Sequence, residues 1–276
     1  MNRLVVTADD FGLATEVNEA VERAHRDGIL TAASLMVAAP AVADAVARAK
    51  KMPSLKVGLH LVLVEAKPAL PAERVPDLVG PDGYFRIDMA RLGFDIAFRP
   101  RVRAQLRSEI AAQFEAFAAT GLALDHVNAH KHFHLHPMIA AEALAAGRRY
   151  GLHAIRVPQE PAAIVDAVEP ASSNLGTRLT GQWARVLRHQ GRGLVMPDAV
   201  FGLAWTGAFD GKRLARLLAR LPEGLIEIYS HPATADAFAG SAPGYRYRDE
   251  LAALVDPAVI AAAASSRHRR CGYADA

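Results

Sequence analysis

"RLVVTADDFG", residues 3–12, passes from an apolar run directly into two adjacent acids. Residues 3–8 read as a buried strand, since a continuous apolar run of this length suits a strand covered on both faces. An open dinucleotide-binding sheet would follow its first strand with Gly-x-Gly-x-x-Gly, which lets the backbone approach a pyrophosphate. That turn is missing here. The stretch therefore favours a closed or distorted βα barrel, in which polar residues at the C-terminal ends of the strands face the functional side.

The same alternation continues outward. Residues 15–28 place Val17, Ala20, Val21 and Ala24 on one helical face, with Thr15 as the expected N-cap and Gly28 as the stop. Further strands are predicted at 32–39, 55–64, about 122–128, 154–158 and 225–233. Helices are predicted after the second strand and at roughly 101–119, 138–150, around 176–191 and 211–220, with a helical tail. Leu106, Ile110, Phe114 and Phe117 carry the spacing of the 101–119 helix. Residues 65–100 are rich in Pro and Gly and read as a long surface excursion. Parallel strands need crossover helices, so the expected architecture is α/β: a distorted (β/α) barrel of about seven parallel strands, with residues 1–276 forming a single domain.

Composition narrows the function. A chain of 276 residues, 51% hydrophobic, can bury a full core. The net charge is only +3 and no basic stripe is interleaved with aromatics, which argues against a nucleic-acid partner. Cys271 is the one cysteine, so neither an internal disulfide nor a thiolate metal cage can form. No signal-peptide core or run of about 18 apolar residues occurs, and the expected location is cytoplasmic.

Chemistry gathers at the strand ends. The first strand ends in Asp9-Asp10, the third carries His60, and the last clear strand ends at His231. The segment "LDHVNAHKHFHLHPMI", residues 124–139, holds His126, His130, His132, His134 and His136, five of eleven histidines. Its period of two would let His130, His132, His134 and His136 line one face of an extended segment, leaving Asp125 and Lys131 solvated. "RHRR", 267–270, reads as solvated surface. A carboxylate oxygen with two imidazole nitrogens suits zinc or another divalent ion and leaves a position open. A second carboxylate beside it can act as general base, and a histidine opposite can protonate a leaving group.

"TADDFG", "VGLHL", "HVNAHKHFHLHP" and the late "SHP" together resemble the YdjC/ChbG family of carbohydrate deacetylases, in the family's order from residue 3 to about 233. "NEAVERAHRDGILTAASLMV", "GLHLVLVEAKPALP", "VFGLAWTG" and "GYRYRDELAALV" resemble its hopanoid-biosynthesis-associated branch. The resemblance implies a distorted βα barrel, one divalent cation (magnesium or zinc) and hydrolysis of an N-acetyl group from an amino sugar. The branch implies a glycolipid substrate, N-acetylglucosaminyl bacteriohopanetetrol, with peripheral membrane contact through that lipid; relatives imply a homodimer.

Carried over by residue, the resemblance places Asp10, His60 and His130 on the metal, Asp9 beside them as base and His231 as acid. Asp9 and Asp10 could be exchanged. His132 and His134 would contact substrate or orient other groups, and Arg156 would bind a sugar hydroxyl or orient an acid. Many relatives carry an aspartate and a small polar residue where this chain has Asn128-Ala129, so the group orienting a histidine there is an amide here. Phe85, Phe94, Phe98 and Trp205, in 65–100 and near "FGLAWTG" (201–207), could accept a hopanoid skeleton or pack their loops down. Three other readings fit the sequence: deacetylation of chitooligosaccharides, a phosphoester hydrolase, and a non-catalytic sugar- or lipid-binding barrel.

Overall fold

A computed structural model describes residues 2–169 and 175–276, with the side chains of 175–180 outside the description. The chain order is β1 (Arg3–Phe11), α1 (Thr15–Asp27), β2 (Ala32–Leu35), α2 (Val42–Lys50), β3 (Lys56–Leu61), α3 (Met89–Phe98), α4 (Pro100–Ala119) and β4 (Val127–Ala129). It continues through α5 (Pro137–Gly147), α6 (Ala162–Val168), α7 (Leu175–Gln190), β5 (Ala199–Phe201), α8 (Gly211–Leu218), β6 (Leu225–Ser230), α9 (Tyr247–Leu254), α10 (Pro257–Ser265) and β7 (Arg269–Arg270).

The sheet order is β4-β3-β2-β1-β6-β5, with β7 joining the start of β1. Each of these pairings is parallel. The sheet curls into a half-barrel with helices around it. Parallel bridges Val127↔Ile155 and Ala154↔Val195 carry pairing past β4. Val200 N then donates to Gln159 O at 2.9 Å, reaching toward β5. The distorted α/β barrel is thus the observed class.

Several boundaries differ. Residues 154–158 form only isolated bridges, and the strands expected to reach 39, 64 and 233 stop at Leu35, Leu61 and Ser230. They stop where the chain turns away to build the rim of the site. Thr15 is the first helical residue of α1, and its N-cap, Ala14, offers no side-chain bond. The 65–100 excursion contains α3, capped by Asp88, whose side chain accepts from Arg91 N. Its Leu92 and Ile96 are buried in the core, which a Gly-containing ten-residue window scarcely announces.

β1 occupies the centre and is buried from Leu4 to Phe11. α1 covers it with Val17, Ala20, Val21 and Ala24, as the spacing predicts. On α4, Leu106, Ile110, Phe114 and Phe117 enter the core, while Gln113 and Glu109 on the same face turn to the backbone. Gln113 bonds both Val62 N, at 2.9 Å, and Val62 O, at 2.6 Å. Glu109 accepts from Ala69 N and Leu70 N. Buried polar groups are stable when paired in this way, and these pairs hold the loop that leaves β3 over the site.

Candidate active site

β1 ends irregularly. Its register against β2 shifts between Ala8 and Phe11, and Asp10 takes a left-handed φ of 61°. The shift aims the two acids differently. Asp10 Oδ1 lies 3.2 Å from His60 Nε2 and 3.2 Å from His130 Nδ1. One ligand atom from each of Asp10, His60 and His130 lies within 4.8 Å of the others, so the three could hold a metal ion. His60 comes from β3, and His130 begins the turn after β4, two residues beyond the Asn128 that pairs with His60.

The donor set fits a divalent cation. Among the described residues buried His60 Nε2 has no hydrogen-bond partner of adequate geometry, although Asp10 Oδ1 is close. A nitrogen and a carboxylate oxygen that converge without a shared proton suit a cation between them. Burial pushes the Asp10 carboxyl up, but His130 and His60 hold it well below the usual carboxylate range. Burial lowers the His130 imidazole, yet Asp10 and Glu65 raise it to about 10. The negative field that retains a proton on His130 would equally retain a cation.

Asp9 faces the other way. Arg156 donates from Nη1 to Asp9 Oδ2 at 2.5 Å and from Nη2 to Oδ1 at 3.0 Å. Asn128 Nδ2 also donates to Oδ1, at 2.9 Å. Burial works against ionisation, but Arg156, His60 and His231 keep the carboxyl well below its ordinary range. Behind Arg156, Glu227 takes two further bonds from the guanidinium, at 2.9 and 2.7 Å, and one from Tyr273 at 2.5 Å.

A cavity of about 650 Å³ is lined by Asp9, Asp10, His60, His130, His132 and His231, among others. Among the described residues His231 Nδ1 has no hydrogen-bond partner, and its ring stands edge-on to Tyr229 and Tyr245. Thus side chains from β1, β3, the β4 turn and the end of β6 open on one space.

The sequence pattern of the family described as YdjC-like protein matches residues 3–265. The chain belongs to the YdjC-like family. A carbohydrate deacetylase of Homo sapiens is 34% identical over 266 residues, covering 88% of this chain and 75% of that protein. A carbohydrate deacetylase of Brevibacillus brevis is 38% identical over 148 residues, 54% of this chain; the match spans 56% of that relative's length. A solved structure from Enterococcus faecalis, described as a candidate cellobiose-phosphate cleavage protein, superposes with a TM-score of 0.75 at 26% identity. It covers 100% of this chain and 99% of its own.

The histidine segment of this YdjC-like protein is not an extended ladder. Lys131 and His132 have φ of 52° and 54°, which folds 130–135 into a tight turn and sends the rings apart. His132 Nε2 meets Tyr229 OH at 3.0 Å and the ring lines the cavity. His134 is wholly buried, with Nε2 donating to Arg156 O at 2.9 Å, and does not reach the cavity. His136 caps α5, its Nδ1 accepting from Met138 N. Arg156 is 0% exposed, so it can orient Asp9 but cannot touch a sugar hydroxyl. Asp125, expected to be solvated, is buried. In "RHRR", His268 is buried as well, with Nε2 against Pro222 O.

Glu65 and Tyr229 are among the cavity residues that escaped the sequence reading. Glu65, with φ 67°, pairs with Lys131 and places Oε2 3.4 Å from His130 Nε2. Asp10, Glu65, Lys131 and His132, the non-glycine residues at positive φ among those described, all line this cavity. Such backbone strain concentrates at functional sites. Tyr229 lies under the Arg156 guanidinium, 4.5 Å from its ring centre. Its place directly before "SHP" was the available signal.

Proposed function

We propose that this protein is a metal-dependent carbohydrate N-deacetylase. The observation that carries the reading is the meeting of Asp10, His60 and His130 with Asp9 and His231 around one cavity. The relatives called carbohydrate deacetylases support it. Asp10, His60 and His130 would hold one divalent cation, magnesium or zinc. When bound, such an ion supplies Lewis acidity, polarising a carbonyl oxygen and lowering the pKa of water.

The chain's own groups divide the remaining work. Asp9, ionised and held by Arg156, takes a proton from the water that attacks the acetamide carbon. His231, which follows the end of β6 beside β1, gives a proton to the amine nitrogen as the C–N bond breaks. The products are acetate and a free amino sugar. His132 and Tyr229, in contact with each other, line the same cavity and would contact the sugar.

For the substrate, we propose a glycolipid of the N-acetylglucosaminyl bacteriohopanetetrol type, in preference to chitooligosaccharides. An open apolar groove of about 650 Å³, lined by Met89, Phe94, Phe98, Phe133 and Trp183, shares Lys131 and His132 with the polar cavity. Phe94 and Phe98 are 60% and 68% exposed, whereas Phe85 and Trp205 are packed inside and cannot serve a lipid. Exposed apolar area of this kind marks a binding surface. No helix among the described residues is long and apolar enough to cross a membrane. Contact with a bilayer would run through this groove and its lipid. The test is acetate release by purified protein with zinc or magnesium. Turnover of the lipid-linked sugar above that of chitooligosaccharides is expected, and no acetate from either substrate would end the deacetylase reading.

A further inference from the structure

Below the site, a chain of buried side chains runs away from His60 and ends at the C-terminal segment. His60 Nδ1 lies 2.7 Å from Asn128 Oδ1. Asn128 Nδ2 donates to Ser34 Oγ at 2.9 Å, and Ser34 Oγ lies 3.0 Å from His126 Nε2. His126 Nδ1 lies 2.9 Å from Asp125 Oδ2. Ser34, His126 and Asn128 are 0% exposed. The ring of His126 fits only because residue 58 is glycine; a Cβ there would sit 2.5 Å from it.

The donors and acceptors in this chain can be assigned one by one. Asp125 also accepts from Tyr273 N and Ala274 N, so its carboxylate is acceptor only and the His126 proton sits on Nδ1. At the other end, Asn128 Nδ2 must face Asp9, because a carboxylate cannot donate to it. Ser34 then accepts from Asn128, and among the described residues its own hydroxyl proton has His126 Nε2 as its acceptor. A buried hydroxyl without that acceptor would be costly. Asn128 Oδ1 is left facing His60, which must therefore carry its proton on Nδ1. The reversed chain, with Asn128 flipped, would set an amide oxygen against Asp9 and put a proton on His60 Nε2.

We infer that Asn128, Ser34, His126 and Asp125 are positioning residues that lock His60 in the tautomer whose Nε2 is free to bind a cation. The inference rests on the metal reading of Asp10, His60 and His130. Partners that set a ligating histidine's tautomer commonly contribute about 10–100-fold to metal affinity. The arrangement also accounts for the amide at 128: one side chain accepts from His60 and donates to Asp9, which a carboxylate could not do.

The test uses full-length protein with histidine-selective 15N labelling and one equivalent of zinc. Imidazole 1H–15N correlations are expected to show the proton on Nδ1 of both His60 and His126; a proton on Nε2 of either overturns the inference without any variant. Zinc affinity is then measured by competition with a chelating indicator in Ser34→Ala and Asp125→Asn, the second being the more remote from the metal. A loss of about tenfold or more in each supports the relay, and native affinity in both overturns it. Native protein that binds no zinc overturns the relay and the metal reading together. Expected tautomers and affinities without acetate release would sink only the deacetylase reading.

Discussion

Arg156 grips Asp9 with both terminal nitrogens, at 2.5 and 3.0 Å, and neither side chain meets solvent beyond the rim of the cavity. The same guanidinium is held from behind by Glu227. Removing one partner from such a buried cluster leaves uncompensated charge. Arg156→Met is expected to destabilise the fold by about 3–5 kcal/mol, read from urea denaturation. Arg156→Lys keeps the charge but not the planar fork; it should lower kcat while zinc binding survives. Native kcat in the lysine variant would show that the fork does not position Asp9.

The roles proposed for the neighbours Asp9 and Asp10 can be tested separately. Asp10→Asn is expected to abolish stoichiometric zinc binding, because the cluster loses its carboxylate ligand. Asp9→Asn should retain zinc and lose turnover by about 10²-fold or more, the scale of general-base catalysis. Metal analysis beside acetate release distinguishes them. Loss of zinc in the Asp9 variant would mean that the roles are exchanged.

Acid stability should report His134. Burial pushes its imidazole down to about 4, against about 6.5 in an unfolded chain. Between those values the unfolded chain binds a proton that the folded chain refuses, so stability falls as pH drops from 6.5 toward 4. The full loss from this group is on the order of 3 kcal/mol. His134→Gln preserves a donor to Arg156 O and should flatten the curve in that window. Parallel melting curves for the two proteins would exclude His134 as the source.

The apolar groove makes a kinetic prediction. Phe94→Ser with Phe98→Ser should raise KM for a lipid-linked N-acetyl sugar by about tenfold, as loss of apolar contact area implies. The rise for di-N-acetylchitobiose should be much smaller. Equal effects on both substrates would remove the groove from lipid recognition.

The sequence by itself determined the parallel α/β class and the position of the site. Apolar runs alternating with helical periods require crossovers, and crossovers place strand ends together, so Asp9, Asp10, His60, His130 and His231 had to gather on one side. Tertiary structure alone decided what each polar residue faces. A period-two histidine run has an extended face only if the backbone stays extended. Left-handed Lys131 and His132 break that face, sending His132 to the cavity, His134 into the interior and His136 to a helix start. The bonds from Tyr273 and Ala274 to buried Asp125, the clamp from Arg156 and the pairing of Glu65 with His130 join residues far apart in the chain. Their geometry depends on register and side-chain direction across several strands, which no local pattern encodes.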